Sequence, residues 1–205
     1  MSHGSEHLPL TYYEVKARNH ALLCTIGFLI LLPLGALLPR IIRTFTQRWW
    51  IAHFVIQFLL AGPIIFAGWA LGYQTANILY TGPRFSDPHE KIGLALIILY
   101  LVQLFLGLFI HFVKIPFFHG HRPPQNYFHA ILGLAILALA AYQVHYGLTF
   151  EWAFATGNLH EVPKSAINAW EALVIIFWAL YGLGLLLLPR QYSQEKQRRQ
   201  QNKEG

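Results

Sequence analysis

Five long apolar blocks constrain the fold of this 205-residue chain more than any other feature of its sequence. They cover roughly residues 21–38, 51–73, 92–113, 128–146 and 169–188. About 20 apolar residues are enough for a helix to cross the hydrocarbon core of a bilayer. The blocks show little of the alternation that is typical of strands, and only 12% of the residues are charged. The sequence therefore predicts an all-α integral membrane protein with five transmembrane helices surrounded by lipid.

The basic residues indicate the orientation of these helices. They cluster after the first, third and fifth blocks: Arg40, Arg43, Arg48, Lys114, Arg122, Arg190, Lys196, Arg198 and Arg199. The positive-inside rule then places the C-terminus in the cytosol and the N-terminus outside. The same distribution explains the net charge of +6 without a nucleic-acid partner.

We predict three segments along the chain: an extracytoplasmic segment over residues 1–19, a transmembrane domain over 20–188, and a basic, disordered cytosolic tail over 189–205. The tail is polar and shows no helical pattern. The first block ends at Arg40 and Arg43 with no cleavage motif, which favours a retained span over a signal peptide. Pro33 and Pro63 lie near the middle of their spans and predict kinks there.

Four histidines mark the N-terminal ends of the first four spans. His20 and His89 belong to the outer membrane level, and His53 and His129 belong to the inner level. At a rise of about 1.5 Å per residue, the two levels lie on the order of 20 Å apart. This separation excludes one metal site made of all four histidines, whereas two sites with two histidines each remain open.

A repeated stripe relates the third span to the fourth. The spacing of His89, Gly93, Gln103 and Gly107 is the same as that of His129, Gly133, Gln143 and Gly147. On a helix, the four positions of each set fall within about 40° of one line. Each helix therefore presents an imidazole, a glycine, an amide and a second glycine on one side. The second span departs from this pattern, because Gln57 follows its histidine at the position of the first small residue.

Two facing imidazoles with small residues one turn deeper suit a flat macrocycle. Imidazole nitrogens bind haem iron axially, and Gly93 and Gly133 would leave room for a porphyrin beside the helix. An iron with two histidine ligands has no open position for oxygen, so the pattern favours an electron-transfer haem. Zinc would require four ligands at each level, and each level offers two histidines. The alternative is a non-redox membrane scaffold or small transporter whose histidines pack helices together or relay protons.

Four segments carry a family resemblance: "NHALLCTIGFLILLPLGALLPR", "WWIAHFVIQFLL", "HEKIGLALIILYLVQLFLGLFIHF" and "YFHAILGLAILALAAYQVHYGL". They resemble the four core helices of the eukaryotic cytochrome b561 family, above all the branch joined to an extracellular DOMON domain in fungi and in ferric-reductase-like proteins. The resemblance covers about residues 19–148, with the fifth span as a flanking helix. The chain departs from many members of the family in showing five spans where they have six.

The resemblance implies a four-helix core that holds two b-type haems, one near each face, and passes electrons across the membrane. It implies that His20 pairs with His89 outside and that His53 pairs with His129 inside. It also implies a small anionic reductant such as cytosolic ascorbate, and an external acceptor such as ferric iron or a redox partner domain. Such a protein is expected in the plasma membrane or an endomembrane such as that of the vacuole, where it could form a homodimer.

Other polar residues are candidates for haem contacts. His111 lies about 40° from the stripe of His89 at the inner mouth, where it could contact the inner haem or simply be an interfacial histidine. Gln103 near the inner level and Gln143 near the outer level could each orient a ligand imidazole, with helix packing as the alternative role. The candidates for pairing with haem propionates or an anionic reductant are Arg40, Arg43, Arg48, Lys114 and Arg122 inside, and Arg84 and Lys91 outside.

Overall fold

The computed structural model describes residues 8–79, 81–113 and 123–204, and five of its helices are long and apolar enough to cross a membrane. These are α1 (Tyr12–Thr44), α2 (Trp49–Leu79), α3 (Pro88–Phe112), α4 (Pro124–Ala155) and α5 (Lys164–Leu185). A further helix, α6, follows at Leu188–Glu204. The described ranges contain no strand. The prediction of an all-α integral membrane protein with five spans is confirmed.

The first helix begins earlier than its apolar block suggests. Thr11 caps α1: its hydroxyl accepts from the Glu14 N–H at 3.4 Å, and the Glu14 carboxylate accepts from the Thr11 N–H at 2.6 Å. This reciprocal capping box satisfies two backbone donors at the start of the helix. Residues 12–19 of the predicted N-terminal segment therefore form the start of the first helix.

The helices widen into π turns where the sequence predicts kinks. The π turns Ile26–Leu31 and Val55–Leu60 end shortly before Pro33 and Pro63. In the second of them, the Ala61 N–H donates to the carbonyl five residues back instead of four. Proline has no N–H, so each of these helices has a carbonyl without its usual donor near the same place.

The core lies in the middle of the bundle, between the two levels of histidines. Its buried side chains come mainly from α1–α4: Phe28, Leu32, Ala61, Ile65, Leu96, Ile97, Tyr100, Ile136, Leu137 and Ala140. Phe177 of α5 joins this core. Tyr100 is only 2% exposed, and its hydroxyl donates to the backbone carbonyl of Gln57 at 2.6 Å. The core therefore ties α2 to α3 by both packing and a buried hydrogen bond.

The tail is helical where the sequence predicts disorder. Gln191 of α6 donates to the Arg40 carbonyl and to the Thr44 hydroxyl, both at 2.8 Å, and Glu195 pairs with Arg43 at 2.7 Å. Gln, Glu, Lys and Arg are good helix formers, and these contacts satisfy groups at the C-terminal end of α1. They also place the end of α1 and the tail at the same face of the bundle.

Candidate functional site

The four predicted histidines meet in two pairs at opposite ends of the bundle. The ring centres of His20 and His89 lie 6.1 Å apart with their planes at 81°. Those of His53 and His129 lie 6.3 Å apart at 75°. In each pair the two rings come from different helices. We call these the outer pair and the inner pair.

The spacing within each pair suits one metal ion between the rings. A bond from imidazole to a metal is about 2 Å long, so a metal bound by both rings sets the ring centres about 6 Å apart. The described part of the chain contains no cluster of three or more His, Cys, Asp or Glu side chains that could hold an ion alone. A haem iron takes its other four ligands from the porphyrin, so two histidines suffice for it. The residues present therefore fit a bis-histidine haem at each pair.

Backbone carbonyls fix the tautomer of one histidine in each pair. His20 Nδ1 lies 2.8 Å from the Gly68 carbonyl, and His53 Nδ1 lies 2.7 Å from the Gly35 carbonyl. A carbonyl can only accept, so Nδ1 carries the hydrogen in both rings. The lone pair then lies on Nε2, which is the atom free to bind a metal.

The two acceptor carbonyls become available in different ways. In a regular helix, the Gly35 carbonyl would accept from the N–H of residue 39, but that residue is Pro39. Proline thus leaves the carbonyl free for His53. Gly68 lies within a regular helical stretch and has Gly72 four residues on, so His20 is a second donor to its carbonyl.

Glycines of α3 and α4 lie against the predicted ligand ring of the opposite helix. A Cβ atom on Gly147 would lie 3.2 Å from Cε1 of His89, and a Cβ on Gly107 would lie 3.2 Å from Cε1 of His129. Both distances are shorter than ordinary van der Waals contact. The second glycine of each predicted stripe therefore leaves room for a histidine ring.

The glutamines of the stripes also cross between the helices. Gln143 Nε2 donates to the His89 carbonyl at 2.7 Å, and Gln103 Nε2 donates to the His129 carbonyl at 2.7 Å. Each amide therefore contacts the backbone of a predicted ligand, whereas its contact with the imidazole itself stays a prediction.

The first glycine of each stripe faces a glutamine. A Cβ on Gly93 would lie 3.5 Å from Gln143 Nε2, and one on Gly133 would lie 2.8 Å from Gln103 Nε2. Gly93 also lines the cavity beside the outer pair. A Cβ on Gly133 would thus crowd the Gln103 amide, whereas one on Gly93 would make only ordinary contact with Gln143. The contact of both glycines with a porphyrin stays a prediction.

A largely apolar cavity opens beside the outer pair. Its lining includes both imidazoles together with Cys24, Trp69, Arg84 and Trp152. Cys24 Sγ lies 3.6 Å from His20 Nδ1. Arg84 lies over the Tyr73 ring at 4.6 Å and pairs with Glu90 at 3.1 Å. Such a site combines apolar walls with a cation at its edge, as a flat macrocycle with carboxylates requires.

Several other polar residues that we proposed for haem contacts have protein partners in the structure. The His111 ring lies 4.3 Å from that of Trp50, and both of its proposed roles stay predictions. Arg40 donates to the Tyr181 hydroxyl at 2.6 Å, and Arg43 pairs with Glu195. These two arginines thus hold α5 and α6 against the end of α1. Lys114 and Arg122 lie outside the described residues.

Sequence reasoning missed the glycines of α1 and α2 that contact His20 and His53. A Cβ on Gly72 would lie 2.6 Å from the His20 ring, and Gly68 supplies the acceptor carbonyl. The spacing of these two glycines is the small-xxx-small pattern that allows close helix contact, and it could have identified them. Gly35 had no such signal apart from Pro39, four residues later.

Comparison with known proteins gives a consistent result. A family model described as eukaryotic cytochrome b561 matches residues 19–155. Two cytochrome b561 and DOMON domain-containing proteins of Arabidopsis thaliana are similar to the chain. One is 28% identical over 133 residues, which are 64% of this chain and 31% of the relative. The other is 32% identical over 139 residues, which are 66% and 33% of the two chains. The chain thus spans about a third of the length of these relatives. No solved structure matches it.

Proposed function

Because the chain belongs to the eukaryotic cytochrome b561 family, whose members bind haem b and transfer electrons across membranes, we propose that it does so with two haems. His20 and His89 hold the outer haem, and His53 and His129 hold the inner haem. The observation that carries this proposal is the spacing of the two ring pairs, 6.1 and 6.3 Å between centres. One metal ion fits between the rings of each pair.

A bound b-type haem supplies a one-electron couple between ferric and ferrous iron. The chain's own residues set the conditions for this chemistry. Two histidines at each haem would leave no iron position open for oxygen. The carbonyls of Gly68 and Gly35 hold the Nδ1 protons, which raises the basicity of Nε2. The apolar core around Leu96 and Tyr100 keeps water out of the space between the two sites.

Electrons are proposed to enter from a cytosolic reductant such as ascorbate and to leave to an external acceptor such as ferric iron or a redox partner domain. The names of both Arabidopsis relatives include a DOMON domain, which supports a partner domain of that kind. The contact between Gln191 and Arg40 brings the basic ends of α1 and α6 to one face, which supports a cytosolic tail. The chain is then an ascorbate-dependent reductase of the plasma membrane or an endomembrane.

Haem stoichiometry tests the ligand assignment. The purified full chain is expected to hold two haems and to show the sharp reduced bands of six-coordinate iron. His53→Ala should remove about half of the haem and leave the outer site filled. His145→Ala is the matched control, since His145 lies against Trp170 at 4.6 Å and belongs to neither pair. A colourless protein would favour the scaffold or transporter alternative, and unchanged haem in His53→Ala would contradict the assignment.

Vesicles test the direction of transfer. The chain is reconstituted, ascorbate is enclosed, and a ferric chelate is added outside. External ferrous iron should form in proportion to the fraction of chains with the tail inside, which protease accessibility of the tail measures. Formation of ferrous iron in proportion to the chains with the tail outside would show that electrons move in the direction opposite to the one proposed.

A further inference from the structure

The two buried glutamines of α3 and α4 each contact the ligand at the far end of the bundle from their own helix's histidine. Gln143 belongs to α4, which begins with the inner ligand His129, yet its amide donates to the carbonyl of the outer ligand His89. Gln103 belongs to α3, which begins with His89, yet its amide donates to the carbonyl of His129. Each helix therefore contacts both predicted haem sites.

A second contact accompanies each of these hydrogen bonds. One turn beyond Gln143, the α4 backbone at Gly147 lies against the His89 ring. One turn beyond Gln103, the α3 backbone at Gly107 lies against the ring of the inner ligand in the same way. The hydrogen bonds are 2.7 Å at both ends, and the Cβ-to-Cε1 distances are 3.2 Å at both ends. A ligand held at its backbone and at its ring has little freedom to tilt or shift.

Folding alone does not explain a glutamine at these positions. In the continuous helix α3, the His89 carbonyl already accepts from the Gly93 N–H four residues on. Gln143 is 8% exposed, and within the described chain its Oε1 and that of Gln103 are buried without a hydrogen bond. Burying an amide with one end unsatisfied costs free energy, and a leucine would fill the space without that cost.

We propose that Gln143 is a positioning residue for the outer haem and that Gln103 is a positioning residue for the inner haem. Each amide fixes the backbone of a ligand on the neighbouring helix, and through it the orientation of the imidazole at the iron. The inference rests on the two-haem function proposed above. It predicts a crossed effect, in which a change on α4 alters the outer haem and a change on α3 alters the inner haem.

The test is to compare Gln143→Leu and Gln103→Leu in the full-length, haem-loaded protein. The measurements are the midpoint potential and the low-spin EPR signal of each haem. His89→Ala and His129→Ala identify which signal belongs to which site. Gln143→Leu should shift the outer potential and the outer EPR signal while the inner ones stay unchanged, and Gln103→Leu should do the reverse. Gln143→Asn keeps the amide but is one methylene shorter, and it should shift the outer signal as well.

Matched controls separate positioning from general disturbance of the helices. Leu139→Met and Leu99→Met each lie one turn before a glutamine on the same helix, pack against the core and should move neither signal. The inference is overturned if both Gln143 variants leave the outer signal unchanged, or if they move the inner signal instead. Failure of the proposed function is a separate result, because the unsubstituted chain would then hold fewer than two haems.

Discussion

The outer and inner histidine pairs have nearly the same geometry but are built from different local sequences. Ring separations of 6.1 and 6.3 Å and interplanar angles of 81° and 75° differ little. In the outer pair, His20 donates to Gly68 within a regular helix. In the inner pair, His53 donates to Gly35, whose carbonyl is freed by Pro39. The same Nδ1-to-carbonyl hydrogen bond thus arises from close packing at one end and from a missing N–H at the other.

The residues one turn after these ligands also differ. Cys24 follows His20, and its thiol lies 3.6 Å from the ring nitrogen. Gln57 follows His53, and its amide donates to the Leu32 carbonyl at 3.1 Å. The glutamines of α3 and α4 and the glycines one turn beyond them make matching contacts at both ends, so the larger differences lie in α1 and α2. We therefore expect the two proposed haems to differ in affinity and potential because of α1 and α2.

The largest expected effect removes one haem and leaves the other. Gly147→Leu places a side chain where the His89 ring lies, so the outer haem should be lost, and Gly107→Leu should remove the inner haem in the same way. Haem content per chain should fall by about half in each case. Gly182→Leu on α5 is the control, because a Cβ there would meet nothing within 4 Å. Two haems in both variants would show that these glycines do not seat the ligands.

Gly72→Ala and Gly35→Ala should have different effects on haem affinity at the outer and inner sites. A Cβ at residue 72 collides with the His20 ring, whereas one at residue 35 collides with the flexible amide of Gln57. Overpacking of this kind costs about 1–3 kcal/mol, which we expect as lost outer-haem affinity in the first variant. The second variant should lose less affinity at the inner site. Titration of the haem-free protein with haem measures both affinities. An equal loss of affinity in the two variants would contradict the predicted difference between the two ends.

Pro39→Ala tests the carbonyl of the inner pair. The restored N–H should compete with His53 for the Gly35 carbonyl, a hydrogen bond worth about 1 kcal/mol. The weakened bond makes the imidazole a poorer electron donor, which stabilises ferric iron less. The inner midpoint potential should therefore rise, while the outer potential serves as the internal reference. A lower inner potential would contradict this explanation.

Cys24→Ala should have the smallest effect. The thiol is a weak hydrogen-bonding group, and its 3.6 Å contact adds little to the bond that His20 already makes with Gly68. We expect the outer-haem affinity to change by less than about 0.5 kcal/mol. Gln57→Ala should alter the inner haem more, since it removes the hydrogen bond to Leu32. A loss of outer-haem affinity in Cys24→Ala that exceeds the loss of inner-haem affinity in Gln57→Ala would contradict this ranking.

Much of this arrangement could be predicted from local patterns. Hydropathy gave the five spans, and the position of each histidine near a helix start gave its membrane level. The repeat in the third and fourth spans showed that Gln103 and Gln143 share a stripe with the ligands. It placed Gln103 near the inner level and Gln143 near the outer one. It did not show which backbone group each amide contacts, because periodicity gives the face of a helix and not the register of its neighbour.

Contacts distant in sequence could not be predicted in the same way. The tail was predicted as disordered because a polar helix has no apolar periodicity, and its contacts with Thr44 and Arg43 join residues about 150 positions apart. The acceptor role of Gly35 likewise depends on how α2 packs against α1.

The sequence by itself determined that the chain spans a membrane and that imidazoles lie at two levels, because bilayer thickness and helical rise fix both quantities. Only the tertiary structure decided which rings meet, which carbonyls hold their protons and which amides fix their backbones. Those properties depend on the relative register and rotation of packed helices, and shifts of an ångström or two are enough to change them.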